Sequence, residues 1–239
     1  MFAIYKREMR SYFTTPIGYV FLAVFLAVNA VIFAMYTYMA DTASISNCFT
    51  AMIYAYILLV PILTMKTFSD ELRLKTDQLL LTAPVSLTKV VFAKFLSALT
   101  VYFIAVATSM LNFLFLAFHN YSAAGGIVLG LFLSMLLIGM ACIAIGIFIS
   151  SLTESQLVAV LLSMVVLAVA SISHYLASLI SVPWLRTFLS YFAIGGRYSY
   201  LAGGQFDFSA ILYYLSISGV FLLLTIRVFE RKRWHRERS

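Results

Sequence analysis

The residues best able to take part in polar chemistry lie in residues 66–89, a hydrophilic stretch between two long apolar runs. Six charged side chains fall within twelve residues there, namely Lys66, Asp70, Glu71, Arg73, Lys75 and Asp77. Each charge would cost about 2.5–3.5 kcal/mol at the centre of a bilayer helix, so this stretch lies in water. Its mixture of carboxylates and amines suits ion pairing across a protein interface. We interpret it either as a docking element for a partner protein or as a solvated connector.

The same stretch has the pattern of a short amphipathic helix, because opposite charges and apolar residues recur at helical spacing. The charge pairs are Glu71–Lys75 and Asp70–Arg73, and the apolar side chains are Phe68, Leu72 and Leu79. Pro84 is expected to end this helix. Ser86 is predicted to cap the next helix, with Val85 and Val90 as a hydrophobic staple.

Residue types associated with catalysis are isolated elsewhere in the chain. Cys48 and Cys142 stand alone in apolar surroundings, without a CxxC pair or metal-ligand spacing, which indicates inert thiols. His119 and His174 are predicted to be polar boundary residues at helix ends. The sequence has no HExxH, GxSxG or P-loop motif, so any ATP hydrolysis is expected to come from another chain.

Composition sets the elements around the polar stretch: 63% of the residues are hydrophobic and 10% are charged, against about 25% charged residues in a soluble domain. We predict one all-α polytopic membrane domain over residues 1–239. Its six transmembrane helices are expected at residues 17–39, 49–65, 90–118, 125–150, 157–180 and 210–228. Pro61 is expected to kink the second span, and Lys94 to extend toward water from the third. No charged residue lies in a span away from its ends, which argues against a proton- or sodium-coupled carrier.

The distribution of basic residues predicts the orientation. If both termini share one side, fourteen of the sixteen Lys and Arg residues fall there, and only Arg186 and Arg197 fall on the other side. The positive-inside rule therefore places both termini and the polar stretch in the cytoplasm. Residues 1–16 are predicted to form an interfacial amphipathic helix, and residues 229–239 a basic cytoplasmic tail.

The turn between spans four and five has the pattern of a tight, fixed connection. Thr153 and Gln156 have capping-box spacing, with Leu152 and Leu157 placed as a staple. A stripe of small residues on span four permits close helix contact. The stripe consists of Cys142, Gly146 and Ser150.

The connection between spans five and six, residues 181–209, is long and rich in aromatic residues, which are typical of the membrane–water boundary. We predict short interfacial or re-entrant helices there, forming an outer gate in addition to an aromatic belt; the alternative is a belt alone. The gate residues would be Trp184, Phe188, Tyr191, Phe192 and Tyr198.

Residues 70–86, DELRLKTDQLLLTAPVS, resemble the cytoplasmic signature of permease subunits of ABC transporters of the ABC-2 type. The chain departs from that signature at Lys75, where glycine is usual, and at Gln78, where glutamate is usual. Further similarity covers residues 12–21, 144–156 and 207–216, and together these stretches are similar to the gliding-motility-type branch of bacterial permeases.

This resemblance implies an exporter subunit of a bacterial cell membrane that pairs with a second copy or a paralogue and rests on two separate P-loop ATPase subunits. Residues 66–89 would be the coupling segment, expected to form a rigid lever continuous with the third span. The implied ATPase contacts are Phe68, Asp70, Glu71, Arg73, Lys75 and Asp77, with a second, smaller contact at Ser151, Thr153, Glu154 and Gln156. ATP and magnesium would bind the ATPase, and this chain would hold no cofactor. An auxiliary extracytoplasmic protein would be a further partner.

The alternatives to an exporter subunit are a non-transporting membrane anchor for a cytoplasmic complex and a secondary carrier.

Overall fold

The structure is a computed structural model that describes residues 1–37, 45–76, 86–112, 125–179 and 207–237, together with residues 182, 184, 186 and 193. The regular structure in these ranges is α-helical. The helices are α1 (Phe2–Thr14), α2 (Pro16–Thr37), α3 (Ile45–Thr64), α4 (Lys66–Arg73), α5 (Leu87–Ser109), α6 (Gly125–Ser150), α7 (Gln156–Leu179) and α8 (Phe208–Glu237).

Six helical segments in the described ranges are long and apolar enough to cross a membrane. They match the six predicted spans in order, which confirms an all-α polytopic membrane protein. The segments are Pro16–Tyr36, Ala51–Arg73, Leu87–Ser109, Leu129–Ser150, Gln156–Ser173 and Phe208–Trp234. The predicted third span reaches residue 118, whereas α5 ends at Ser109 and residues 113–124 lie outside the described ranges.

Helix α6 forms the centre of the bundle, since 72% of its span is buried, against 22% for α7. Its residues are apolar all round, which is the pattern of a helix enclosed by others. Two glycines allow its neighbours to approach: a Cβ on Gly139 would overlap the ring of Tyr102, and one on Gly146 would overlap the hydroxyl of Thr64. The predicted close helix contact along the small-residue stripe is therefore confirmed at Gly146.

The polar segment continues the second span. Met65 alone separates α3 from α4, and its backbone is helical, with φ −54° and ψ −37°. Pro61 lies inside α3, and because a proline disturbs the turn before it, the chain can remain helical beyond it. Helix α5 begins at Leu87, and residues 77–85 lie outside the described ranges, so the expected continuity of the lever with the third span stays a prediction. Ser86 precedes α5 as predicted, but its side chain makes no capping hydrogen bond there.

Helix α1 is separated from α2 by a sharp bend. Thr15 is extended, with φ −94° and ψ 153°, and Pro16 opens α2, where a missing N–H costs nothing. Gly18 lies so close to the carbonyl group of Tyr12 that a Cβ there would overlap it. The first predicted helix is thus a distinct element that packs beside the bundle.

Helix α8 is longer than a membrane requires. Its 30 residues extend over about 45 Å at 1.5 Å per residue, whereas the hydrocarbon core is about 30 Å thick. The segment predicted as a basic tail therefore continues the helix as far as Glu237.

Candidate functional site

Several elements meet at one end of the bundle, which we call the polar end. It consists of α1, α4, the start of α5, the turn between α6 and α7, and the last turns of α8. The ring of Phe68 in α4 packs on that of Phe229 in α8, with centroids 4.6 Å apart. Glu8 in α1 lies 3.3 Å from Lys94 in α5. The two terminal helices and the polar stretch therefore share one end of the molecule.

Lys94 lies at the middle of this end, and only 2% of its side chain is exposed. Its Nζ is 2.9 Å from Glu71 Oε1 and 3.3 Å from Glu8 Oε2, and it donates a hydrogen bond of 2.8 Å to the carbonyl oxygen of Thr67. It also lies 5.0 Å from the centre of the Phe68 ring, a cation–π contact. The prediction that Lys94 extends to water was wrong, because two carboxylates from other helices replace the water.

Arg7 completes this set of charges. It is 2.8 Å from Glu8 and 3.6 Å from Glu71, and its hydrogen bond with Glu8 raises the pKa of Arg7 above its usual value. We call Arg7, Glu8, Glu71 and Lys94 the ion cluster. Sequence reasoning missed it, because Glu8 and Lys94 lie far apart along the chain and only the packing of α1 on α5 brings them together.

The predicted charge pairs within α4 are replaced by others. The i,i+4 pair in the structure is Lys66–Asp70, at 3.8 Å, while Glu71 turns to Lys94. The Glu71–Lys75 pair fails because α4 ends at Arg73 and Lys75 has a φ of 57°. A left-handed residue leaves the helical register and points its side chain elsewhere. The left-handed conformation is also the one that glycine adopts most readily.

The start of α4 is fixed by Ser150, the last residue of α6. Ser150 Oγ accepts hydrogen bonds of 3.1 Å from the backbone N–H groups of Phe68 and Ser69, and donates one of 3.1 Å to the carbonyl oxygen of Met65. The small-residue stripe was the only sequence signal near this contact. It predicted close packing, but not the capping of one helix by another.

The turn between α6 and α7 joins α4 at a second point. Gln156 Nε2 donates a hydrogen bond to Asp70 Oδ1, so the two predicted contact segments touch each other. The predicted capping box was wrong: α7 begins at Gln156, which places Ser155 at its N-cap, and Thr153 Oγ1 accepts instead from the Ser155 N–H, at 3.2 Å. Leu152 and Leu157 are 53% and 76% exposed and lie on the surface.

The predicted contact residues divide into two groups by exposure. Phe68 is buried and Glu71 and Asp70 are engaged inside the polar end, whereas Arg73 and Lys75 are exposed, as are Leu74 and Thr76 beside them. In the second segment, Ser151 is buried, Thr153 and Gln156 are half-buried and Glu154 is exposed. Asp77 lies outside the described residues.

A cleft of about 660 Å³ opens between α1 and α4, with all four residues of the ion cluster in its wall. Its lining includes Ile4, Arg7, Glu8, Tyr12, Lys66, Asp70, Glu71 and Lys94. Burial raises the pKa of Tyr12 to about 12, so the phenol stays protonated at neutral pH. It donates a long hydrogen bond of 3.4 Å to the carbonyl oxygen of Leu63, which ties α1 to the end of α3.

Of the predicted gate residues, the structure describes only Trp184, whose exposed fraction is 72%. Phe188, Tyr191, Phe192 and Tyr198 lie outside the described residues. The outer gate stays a prediction.

The family profile described as ABC-2 family transporter protein matches residues 2–234. Because the match takes in nearly the whole chain, the protein belongs to this family. No curated protein sequence gave a significant match. The chain is therefore a multi-pass membrane subunit of the ABC permease type, a class that has no ATPase site of its own.

Proposed function

We propose that this chain is the membrane-spanning subunit of an ATP-driven exporter of the gliding-motility-type branch, working as a homodimer or with a paralogue on separate P-loop ATPases. The ATPases bind ATP and magnesium, and this chain binds no cofactor. The polar end faces the cytoplasm of a bacterial cell. An auxiliary extracytoplasmic protein is a further partner in this proposal.

The observation that supports this proposal best is the construction of α4. It continues α3 through the helical residue Met65, it is fixed by Ser150 and Lys94, and it ends in an exposed turn. An element that is rigid, joined to a membrane span and charged at its tip can convert a movement of the bound ATPase into a tilt of that span. A solvated connector would need none of these contacts with the rest of the bundle.

The exposed turn of α4, residues 73–76, is the docking surface in this proposal, with Asp77 next to it. Phe68, Asp70 and Glu71 hold the lever in place from inside. Glu154 and Thr153 form the second, smaller contact, and the link from Gln156 to Asp70 makes the two contacts move together. Trp184 and its neighbours along the chain form the outer gate.

The test is charge reversal at the exposed turn. In the double variant Arg73→Glu, Lys75→Glu the reversed charges would face like charges on the ATPase, and such pairs at an interface cost several kcal/mol. The variant is therefore expected to weaken binding of the co-expressed ATPase at least about tenfold. Binding is measured by co-purification and titration in detergent. Glu71 is not the residue to reverse, since its replacement would break the ion cluster as well as any contact.

The matched control is Arg231→Glu, an exposed cation in the last turns of α8, which is expected to bind the ATPase normally. Full binding and hydrolysis in the double variant would contradict the docking surface. If the ATPase binds but its ATP hydrolysis is stimulated by neither lipids nor hydrophobic solutes, the chain is a membrane anchor. Transport in the absence of any ATPase would show that the chain is a secondary carrier.

A further inference from the structure

We propose that Lys94 is a positioning residue that joins α1 to α4, so that the first helix is a working part of the lever. The proposal rests on the proposed function, in which α4 is pushed by an ATPase. It adds that the push also reaches α1, an amphipathic helix outside the six spans.

The first argument is geometric. The cleft of about 660 Å³ separates much of α1 from α4, so apolar side chains do not interlock along that part of their length. The ion cluster bridges this gap: Lys94 on α5 lies between Glu8 of α1, at 3.3 Å, and Glu71 of α4, at 2.9 Å.

The second argument is electrostatic. Lys94 is 2% exposed, and the side chains of Glu8 and Glu71 are 15% and 19% exposed. Separating opposite charges that water hardly reaches is far more costly than separating exposed ones. Moving α4 alone would pull Glu71 away from Lys94, and moving α4 together with the start of α5 would pull Lys94 away from Glu8. The helices α4 and α1 are therefore expected to move as one body, with the start of α5 between them.

The third argument concerns the other attachments of α1. Tyr5 shares a hydrogen bond of 3.0 Å with Thr100 of α5, and Tyr12 reaches the end of α3. These contacts hold α1 against the bundle, and the Tyr12 phenol also meets the hydroxyl of Thr67 at the start of α4, a contact between uncharged groups. Only the ion cluster, through Glu8–Lys94–Glu71 and Arg7–Glu71, connects the charges of α1 with those of α4 among the described residues.

The experiment measures distances between spin labels in the full chain in lipid nanodiscs, with Cys48 and Cys142 replaced by Ala. Labels are placed at Lys6→Cys on α1 and Leu74→Cys at the end of α4, both exposed. A single narrow distance is expected, and Glu8→Gln or Lys94→Met is expected to broaden and lengthen it. Lys94→Arg should restore the narrow distance, because it keeps a cation between the carboxylates. A distance that stays narrow in both charge-removing variants would overturn the proposal.

Glu8→Gln keeps the shape of the side chain, so the test stands even if Lys94→Met fails to fold. The matched control is Glu230→Gln, which removes a carboxylate from the exposed Arg227–Glu230 pair and should leave the distance unchanged.

A second arm adds the ATPase in nucleotide-free and ATP-trapped states, with a reference label at Leu161→Cys on α7, which is 63% exposed. The α1–α4 distance should stay constant while both helices move relative to α7. A change in the α1–α4 distance would overturn the proposal. Because Leu74 lies in the docking surface, ATPase binding is compared in chains with and without the label at this position. If the ATPase binds neither chain, the proposed function fails, while the first arm still decides whether the ion cluster joins the two helices.

Discussion

Lys94 shows how a cation can be accommodated at the buried start of a membrane helix. Glu8 and Glu71 supply the opposite charge, a backbone carbonyl oxygen accepts a hydrogen bond, and the Phe68 ring covers one side. In a buried set of this kind, removing one partner costs about 3–5 kcal/mol, mainly because the remaining charges lose their compensation. The exposed Arg227–Glu230 pair, by contrast, belongs to a class worth about 0–1 kcal/mol.

Lys75 carries local backbone strain, because its φ of 57° is in the left-handed region. Replacing it by glycine is expected to raise the free energy of unfolding by about 1 kcal/mol, since a residue with a Cβ pays about 1–2 kcal/mol for this conformation. Unfolding in mixed micelles measures the change. Lys75→Ala is the control, because it removes the same charge and keeps the strain. An equal gain in Lys75→Ala would show that the side chain, and not the backbone, is the cause.

At the scale of elements, the crossing of α3 and α6 depends on the absence of a side chain at Gly146. Gly146→Ala is expected to destabilise the protein by about 1–3 kcal/mol, because its Cβ would overlap the hydroxyl of Thr64 and push the helices apart. The measurement is the free energy of unfolding in mixed micelles.

Gly219→Ala is the matched control, since a Cβ there would meet nothing within 4 Å. It should be neutral, or stabilising by about 0.5–1 kcal/mol, because alanine favours a helix. If Gly146→Ala is as well tolerated as Gly219→Ala, the tight α3–α6 crossing is not required for stability.

At the scale of the whole molecule, the unequal burial of the spans leaves a large apolar surface. The spans of α2, α7 and α8 are 28%, 22% and 33% buried, against 72% for α6. Lipid and a second permease copy are the surroundings that such surfaces suit, in agreement with the proposed dimer. The polar end, by contrast, gathers charge from both terminal helices and the centre of the chain.

The orientation of the polar end can be tested with cysteine labels in intact cells, using a membrane-impermeant maleimide and a chain without Cys48 and Cys142. Leu74→Cys should react only after the cells are permeabilised, and Trp184→Cys should react from outside, because the positive-inside rule places basic segments in the cytoplasm. Both positions are exposed, at 64% and 72%. Labelling of Leu74→Cys in intact cells would show an inverted topology and would remove the basis for an ATPase contact at α4.

The sequence by itself determined the six spans, the separate first helix and the hydrophilic stretch, because the free energy of placing each segment in lipid depends mainly on its own residues. It also determined that Gly146 allows close packing. Tertiary structure decided which polar groups pair: Glu8 with Lys94, Asp70 with Gln156, and Ser150 with the start of α4. Local spacing favoured Glu71–Lys75, but a buried cation on another helix attracts Glu71 more strongly than an exposed one beside it. Such partners come from distant parts of the chain, and only the packing of the helices brings them within reach.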